Sequence, residues 1–266
     1  MSQSLVADRD LAGIPVRVHY PASFDGVPAP VVLFSHGFGG SRLGYQYLGR
    51  ALSARGYVAI HPSHRDPPAV AEAMANPEVW ARRPRDLAFV LDRLAALESL
   101  VPALAGRLDT NRIAIGGHSF GAFAALICAG AAVDGLPAQP SLAEPRARAF
   151  FALSPPGNGS RGLSPGSWAT VQRPVLAMTG TLDAGPHGQP YEWRLEPFRQ
   201  LAPGGKTLVV LAGADHESFA GGLPRRRADP ALLASVERAV AWFCDRHLRG
   251  RDEELPPDSD ADVEQR

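Results

Sequence analysis

Short apolar runs rich in β-branched residues alternate with stretches of helical period, the pattern of an α/β protein built on a mostly parallel sheet. The runs predict strands at 14–20, 30–35, 57–61, 112–116, 149–154, 175–180 and 207–212. Pro-Val-Val-Leu-Phe at 30–34 and Arg-Ile-Ala-Ile-Gly at 112–116 are nearly continuous in apolar residues, so these strands need helices on both faces of the sheet. Between them, 85–99 sets Leu87, Val90, Leu91, Leu94 and Leu97 on one helical face and Asp86, Asp92, Arg93 and Glu98 on the other. The stretch 230–248 does the same with Leu233, Val236, Val240, Phe243 and Cys244. From Arg249 onward the chain turns acidic and poor in apolar residues, which predicts a single domain over 1–248 and a flexible tail over 249–266.

Composition narrows the partners. A chain of 266 residues with 45% hydrophobic side chains buries one sizeable core. Its 27 basic residues cancel its 27 acidic ones, so no overall field holds nucleic acid or an anionic membrane, and a small-molecule partner is expected. Lys206 is the only lysine. The arginine groups Arg82, Arg83, Arg85 and Arg225 to Arg227 lack the interleaved aromatics of a strand-binding groove and read as solvated surface. Cys128 and Cys244 fall inside helical apolar patterns and read as core residues rather than a disulfide framework. The first ten residues carry no leader pattern, and the longest nearly apolar stretch, 120–133, is too short to span a bilayer. A cytoplasmic location is the expectation, provided no leader has been lost.

The candidate chemistry centres on Gly117-His118-Ser119-Phe120-Gly121. This G-x-S-x-G pattern follows a predicted strand and precedes an Ala-rich helix, the strand, sharp turn and helix that a nucleophile elbow requires. A serine hydroxyl needs a base to take its proton, and a carboxylate to orient that base, both from later loops at strand ends. His216 follows the strand 207–212 and is the favoured base; His187 is assigned to the wall of the cleft. Asp183, after the strand 175–180, is the favoured acid, with Asp215 as its rival because it adjoins His216. The turn His36-Gly-Phe-Gly-Gly40 presents backbone N–H groups beside the nucleophile, half of an oxyanion hole whose other donor is the N–H of Phe120. His61, His64 and Asp66 have side chains that could ligate a metal, but without a supporting framework they read as polar residues at a strand end. There is no dinucleotide or phosphate-cradling loop, so no cofactor is expected.

Over about residues 14–248 the chain resembles the α/β-hydrolase superfamily, and within it the branch of dienelactone-hydrolase-like proteins, platelet-activating-factor acetylhydrolases, chlorophyllase-like esterases and lidless polyester hydrolases. The resemblance is carried by the segments 34–42 and 52–62, by Gly117–Gly121, by Thr179-Gly-Thr-Leu-Asp183 and by Asp215-His216. It implies an α/β-hydrolase fold, a triad of Ser119, Asp183 and His216, and Phe38 and Phe120 as the oxyanion donors. The implied activity is hydrolysis of a small-molecule or polymeric ester. Acyl transfer, thioester or lactone cleavage with the same triad, and a non-catalytic binding protein on this fold, are the alternatives. Two positions depart from the pattern. Dienelactone hydrolases carry a cysteine where Ser119 stands, which favours an ordinary ester over dienelactone, and Ala122 replaces a glycine usual after the elbow in the related acetylhydrolases and polyester hydrolases.

The twenty residues from Pro155 to Pro174 are dense in Pro, Gly and Ser, without the room or periodicity for a helical cap. The expectation is an open, shallow cleft over Ser119, walled by Phe38, Phe120 and Trp168, with Trp168 equally readable as a loop anchor packed on the sheet edge and His187 either in the wall or in a solvated loop.

Overall fold

Residues on alternate sides of each strand feed two separate cores. The computed structural model describes residues 3–136, 141–223, 226–227 and 229–266, without the side chains of 222–223 and 226–227. Its sheet consists of β1 (Ser4–Leu11), β2 (Ile14–Pro21), β3 (Ala29–Ser35), β4 (Val58–Pro62), β5 (Leu108–His118), β6 (Ala147–Leu153), β7 (Val175–Gly180), β8 (Lys206–Leu211) and β11 (Ala261–Gln265). A separate hairpin pairs β9 (Gly222–Leu223) with β10 (Arg226–Arg227). The nine-stranded order is β1-β2-β4-β3-β5-β6-β7-β8-β11. β3 to β8 run parallel to their neighbours, whereas β1, β2 and β11 join antiparallel.

Val31, Leu33, Ile113 and Ile115 point to the side packed with α3 (Pro77–Leu91), α4 (Leu94–Leu100) and α5 (Phe120–Cys128). Val32, Phe34, Ala114 and Phe151 point to the other side, under α1 (Gln46–Ala54) and α7 (Pro230–Arg249). All seven residues of β3 and all six of β7 are buried, as strands between two helical layers must be. The short helices α2 (Val70–Ala75) and α6 (Glu196–Gln200) complete the set. The seven expected strands are all present, and the mostly parallel sheet between helices matches the expected architecture.

Three elements differ from the sequence reading. The helix expected over 85–99 is two helices: α3 begins at Pro77, with the Asn76 side chain accepting from the Glu78 N–H at 3.0 Å, and the chain breaks at Asp92 and Arg93 before α4. The apolar stripe hides this break, because Leu91, Leu94 and Leu97 stay buried across it. β1 has no counterpart among the expected strands; it folds back on β2 through Ala12 and Gly13, both at positive φ, the conformation of a tight hairpin turn.

The third correction concerns the tail over 249–266. Ala261–Gln265 is not free but pairs with the outer edge of β8, Val263 opposite Val209. Trp242 Nε1 donates to the Glu253 carbonyl at 2.7 Å, and Arg238 pairs with Asp258, tying the intervening residues to α7. The pairing is made by backbone groups while four of the five strand side chains face solvent, so composition carries no sign of it. Among the described residues no helix is long and apolar enough to cross a membrane. Of the arginine triplet, Arg225 lies outside the described residues.

Candidate active site

The carboxyl ends of β3, β5, β6, β7 and β8 all open on one edge of the sheet, where loops from five strands converge on Ser119. This serine links β5 to α5 at φ +54° and ψ −114°, a region a side chain rarely adopts. The strain is held from both sides: Ser119 N–H donates to the Leu153 carbonyl of β6 at 2.9 Å, and its own carbonyl accepts from Phe123 of α5 at 3.0 Å. The flanking glycines are required by close approach. A Cβ on Gly121 would strike the Ser35 carbonyl of β3, and one on Gly117 would strike the backbone of Gly121.

From this elbow Ser119 Oγ lies 3.0 Å from His216 Nε2 and donates to it. His216 Nδ1 in turn lies 3.1 Å from Asp183 Oδ1. Asp183 is fully buried, which would be costly for a bare carboxylate, and its charge is met at once by Arg194 Nε, 2.7 Å from Oδ1. Thr179 Oγ1 adds a hydrogen bond to Oδ2 at 2.9 Å. With its proton on Nδ1, His216 also shares that proton with Ser154 Oγ at 2.7 Å, while Arg194 Nη2, 3.1 Å away, is a donor facing a donor and makes no bond in this tautomer. Ser119 and His216 are half-buried, so this pair opens to solvent.

Asp215, the rival acid, serves the local turn instead: its carboxylate accepts from Ser218 N–H at 3.0 Å and Ser218 Oγ at 2.7 Å, capping the turn that carries His216.

On the other side of Ser119, two N–H donors stand open. Among the described residues Phe38 N–H meets no acceptor, and Phe120 N–H, first in α5, has none within its helix. The turn that carries Phe38 is fixed around them. Gly40 N–H closes on the Gly37 carbonyl at 3.1 Å, and Gly39 N–H donates to Asp66 Oδ2 at 2.9 Å. Asp66 pairs with Arg83, whose Nη2 lies 2.6 Å away and whose guanidinium also binds the carbonyls of His36 and Gly37. Arg83 is therefore a correction to the solvated-surface reading: it is 1% exposed, a buried cation held against the turn at 36–40.

A second chain of hydrogen bonds joins donor turn, elbow and base. Gly37 N–H donates to Tyr45 Oη at 3.1 Å, Tyr45 donates to His118 Nδ1 at 2.8 Å, and His118 Nε2 donates to the His216 carbonyl at 3.0 Å. Burial holds His118 well below the usual imidazole range, which keeps it neutral and suits one donor and one acceptor nitrogen. Two of the residues that could have ligated a metal, His64 and Asp66, are occupied with hydrogen bonds: His64 N–H donates to His36 Nε2 at 3.0 Å, and the His64 ring spans Ser35 Oγ at 2.9 Å and Asp86 at 2.8 Å. His61 is buried elsewhere, against the ring of His19.

The expected cleft walls fare unevenly. Phe38 is half-buried and tilts against Phe120, ring centres 6.3 Å apart. Of the two readings of Trp168 the loop anchor holds and the cleft wall is corrected: it is fully buried and its Nε1 donates to Asn158 Oδ1 at 3.1 Å, so it fastens the 155–174 segment instead of lining the cleft. Apolar area explains this, since a ring this size is worth more in the core than on an open loop. His187 is exposed, and its backbone N–H donates to the Gln189 side chain within its own loop, with no contact to Ser119, Asp183 or His216. The 155–174 segment itself holds only a short 3-10 turn, Pro165–Trp168, and no helical cap.

Elbow, strand order and the arrival of Ser119, Asp183 and His216 on strand ends at one edge decide the architecture. The chain has the α/β-hydrolase fold. Residues 20–99 match the family described as platelet-activating factor acetylhydrolase, isoform II. The chain is also 35% identical over 123 residues to Esterase YjfP of Escherichia coli (strain K12), a match covering 46% of this chain and 48% of that protein. The chain thus matches about half the length of that curated relative. One match is thus to a protein named an esterase and the other to an acetylhydrolase family.

Sequence reasoning missed Ser154, Thr179, Arg194, Tyr45 and Arg83. Ser154, Arg194 and Tyr45 are common polar residues brought to the site by tertiary folding without a motif of their own, whereas Thr179 stood in the segment before Asp183 and Arg83 in an arginine group, neither with a role read from it.

Proposed function

We propose that this chain is a serine carboxylic ester hydrolase acting through an acyl-enzyme. The observation that carries the reading is the unbroken line Ser119 Oγ, His216 Nε2, His216 Nδ1 and Asp183 Oδ1, with two open N–H donors beside the serine. Ser119 attacks the ester carbonyl as its proton passes to His216 Nε2, and Asp183 stabilises the imidazolium. Phe38 N–H and Phe120 N–H receive the developing oxyanion at no cost in reorganisation, because Asp66, Arg83 and the helix start have already set them. The imidazolium then protonates the leaving alkoxide. A water, deprotonated by His216, releases the acid and restores Ser119. The similarity to an esterase and to an acetylhydrolase family supports the same chemistry.

An uncapped cleft suits short acyl groups or bulky esters presented from outside, including polymeric ones, and gives no reason for activation at a lipid interface. The buried, unpaired thiols of Cys128 and Cys244 accord with work in the cytoplasm. The test is a panel of p-nitrophenyl esters of increasing chain length. A burst of nitrophenol from the short esters, lost in Ser119→Ala, is the expected result. Preference for chains of about twelve carbons or more, needing an enclosed apolar pocket, would overturn the open-cleft reading. Product analysis with added alcohol separates hydrolysis from acyl transfer.

A further inference from the structure

Arg161 lies in the segment between β6 and β7, held at φ +47°, a left-handed backbone conformation that costs a side-chain-bearing residue free energy. Its guanidinium rests on the ring of Phe120, 4.8 Å from the centroid, and reaches Phe123 at 5.8 Å. Phe120 is the residue after the nucleophile, and Phe38 packs against the same ring. Arg161 therefore touches the side chain of the residue that follows Ser119, on a buried ring that Arg83 also covers at 4.4 Å.

Its partners set it apart from the other two arginines nearby. Arg83 is answered by Asp66, and Arg194 by Asp183. For Arg161 no carboxylate lies within 4.0 Å among the described residues. Its one hydrogen bond among them is from Nη1 to Ser160 Oγ at 3.2 Å, and its Nε is buried with no acceptor. Burial, with Arg83 and Arg194 close by, pushes its pKa down to about 10, so the side chain stays charged at neutral pH. A buried cation without a counter-ion is costly to the folded state, and stacking on Phe120 and Phe123 offsets only part of that cost. The fork of N–H groups it leaves unused matches a carboxylate in geometry and charge.

We propose that Arg161 is the residue that recognises substrate charge, binding a carboxylate borne by the ester, so that the preferred substrates are esters of dicarboxylic or other anionic acyl groups. The inference rests on Ser119 being the nucleophile. Binding through Arg161 would hold the free carboxylate near the residue that follows Ser119 while the scissile carbonyl meets the N–H groups of Phe38 and Phe120.

The test compares p-nitrophenyl monosuccinate with p-nitrophenyl methyl succinate, equal in acyl length but differing in charge, on the full chain. The wild type is expected to favour the anionic ester in kcat/KM by about tenfold or more, and Arg161→Gln to erase that ratio mainly through KM. Arg161→Lys, which keeps the charge but loses the fork, should retain part of it. A ratio near one in the wild type, or the same ratio in wild type and Arg161→Gln, would overturn the proposal and leave Arg161 as a packing residue. Should the variants fail to fold, competitive inhibition of the wild type decides: succinate is expected to inhibit and its dimethyl ester to do so far more weakly, whereas equal inhibition counts against Arg161. If neither ester turns over and a fluorophosphonate leaves Ser119 unlabelled, the ester-hydrolase reading falls first; labelling with neutral turnover but no charge preference sinks only the role of Arg161.

Discussion

Ser119, His216 and Asp183 act as one unit if the hydrogen-bonded line between them is the catalytic one, and this fixes how their variants behave. Ser119→Ala and His216→Ala should each lower kcat by several orders of magnitude, and the double variant should be scarcely worse, because either change alone removes the nucleophilic route. Losses that add in a kinetic comparison of the three variants would contradict the assignment. Asp183→Asn should be severe as well, while Asp215→Asn should leave most of kcat and cost stability of about 1 kcal/mol through the weakened cap at Ser218. The reverse ranking would move the acid to Asp215. Tyr45→Phe tests the second chain. It removes the acceptor of Gly37 N–H and the donor to His118 Nδ1, two buried groups left unpaired, so thermal denaturation should show a loss of about 1–3 kcal/mol.

Among the elements, the elbow tolerates the least change. Gly121→Ala places a methyl group against the Ser35 carbonyl where β3 and α5 meet, and neither strand nor helix can retreat without opening the sheet. Poor expression or a large fall in Tm is the expected outcome, and a stable, active variant would mean that β3 and α5 are looser than this packing implies. The parallel core was legible because β3, β7 and the 113–118 half of β5 are buried on both faces, so that 31–34, 113–115 and 175–178 read as apolar runs. The candidate triad was legible for the same reason, since each member follows a readable strand at a fixed edge. What escaped were elements whose defining interactions lie in the backbone. β11 is one of these: its side chains face solvent while its N–H and C=O groups cover the edge of β8. The break between α3 and α4 is another, because a stripe continuous from Leu87 to Leu97 reads as one helix. Removing residues 251–266 should therefore lower Tm and promote association, since β8 would then present an unpaired edge. Unchanged Tm and an unchanged elution volume in the truncated chain would show that β11 adds nothing to the sheet.

For the whole molecule, the histidines set the response to acid. Six of the eight are held neutral by burial: His19 and His247 are pushed down to about 4, His36 and His61 to about 3, and His64 and His118 well below their usual range. Each binds its proton less readily folded than unfolded. As pH falls through the unfolded value near 6.5, the unfolded chain takes up protons that the folded chain refuses. The stability these groups permit is thus complete above that value and is lost as pH falls toward 3–4, at roughly 1.4 kcal/mol per pH unit for each fully buried histidine. Asp86 opposes the trend, since burial raises its carboxyl to about 6 and the folded state gains from protonating it below that pH. One carboxyl cannot balance six imidazoles. Tm should accordingly fall steeply between pH 7 and pH 5, well before the ordinary range of carboxylate titration. His61 offers the cleanest check, because its Nε2 is buried without a partner, so an apolar ring there forfeits no hydrogen bond. His61→Phe should flatten the dependence of Tm on pH by about one proton's worth, whereas His187→Gln, at an exposed site, should leave the slope as it was. A Tm that is level from pH 8 to pH 5, or a slope that His61→Phe leaves untouched, would mean that these imidazoles gain their protons without unfolding the chain.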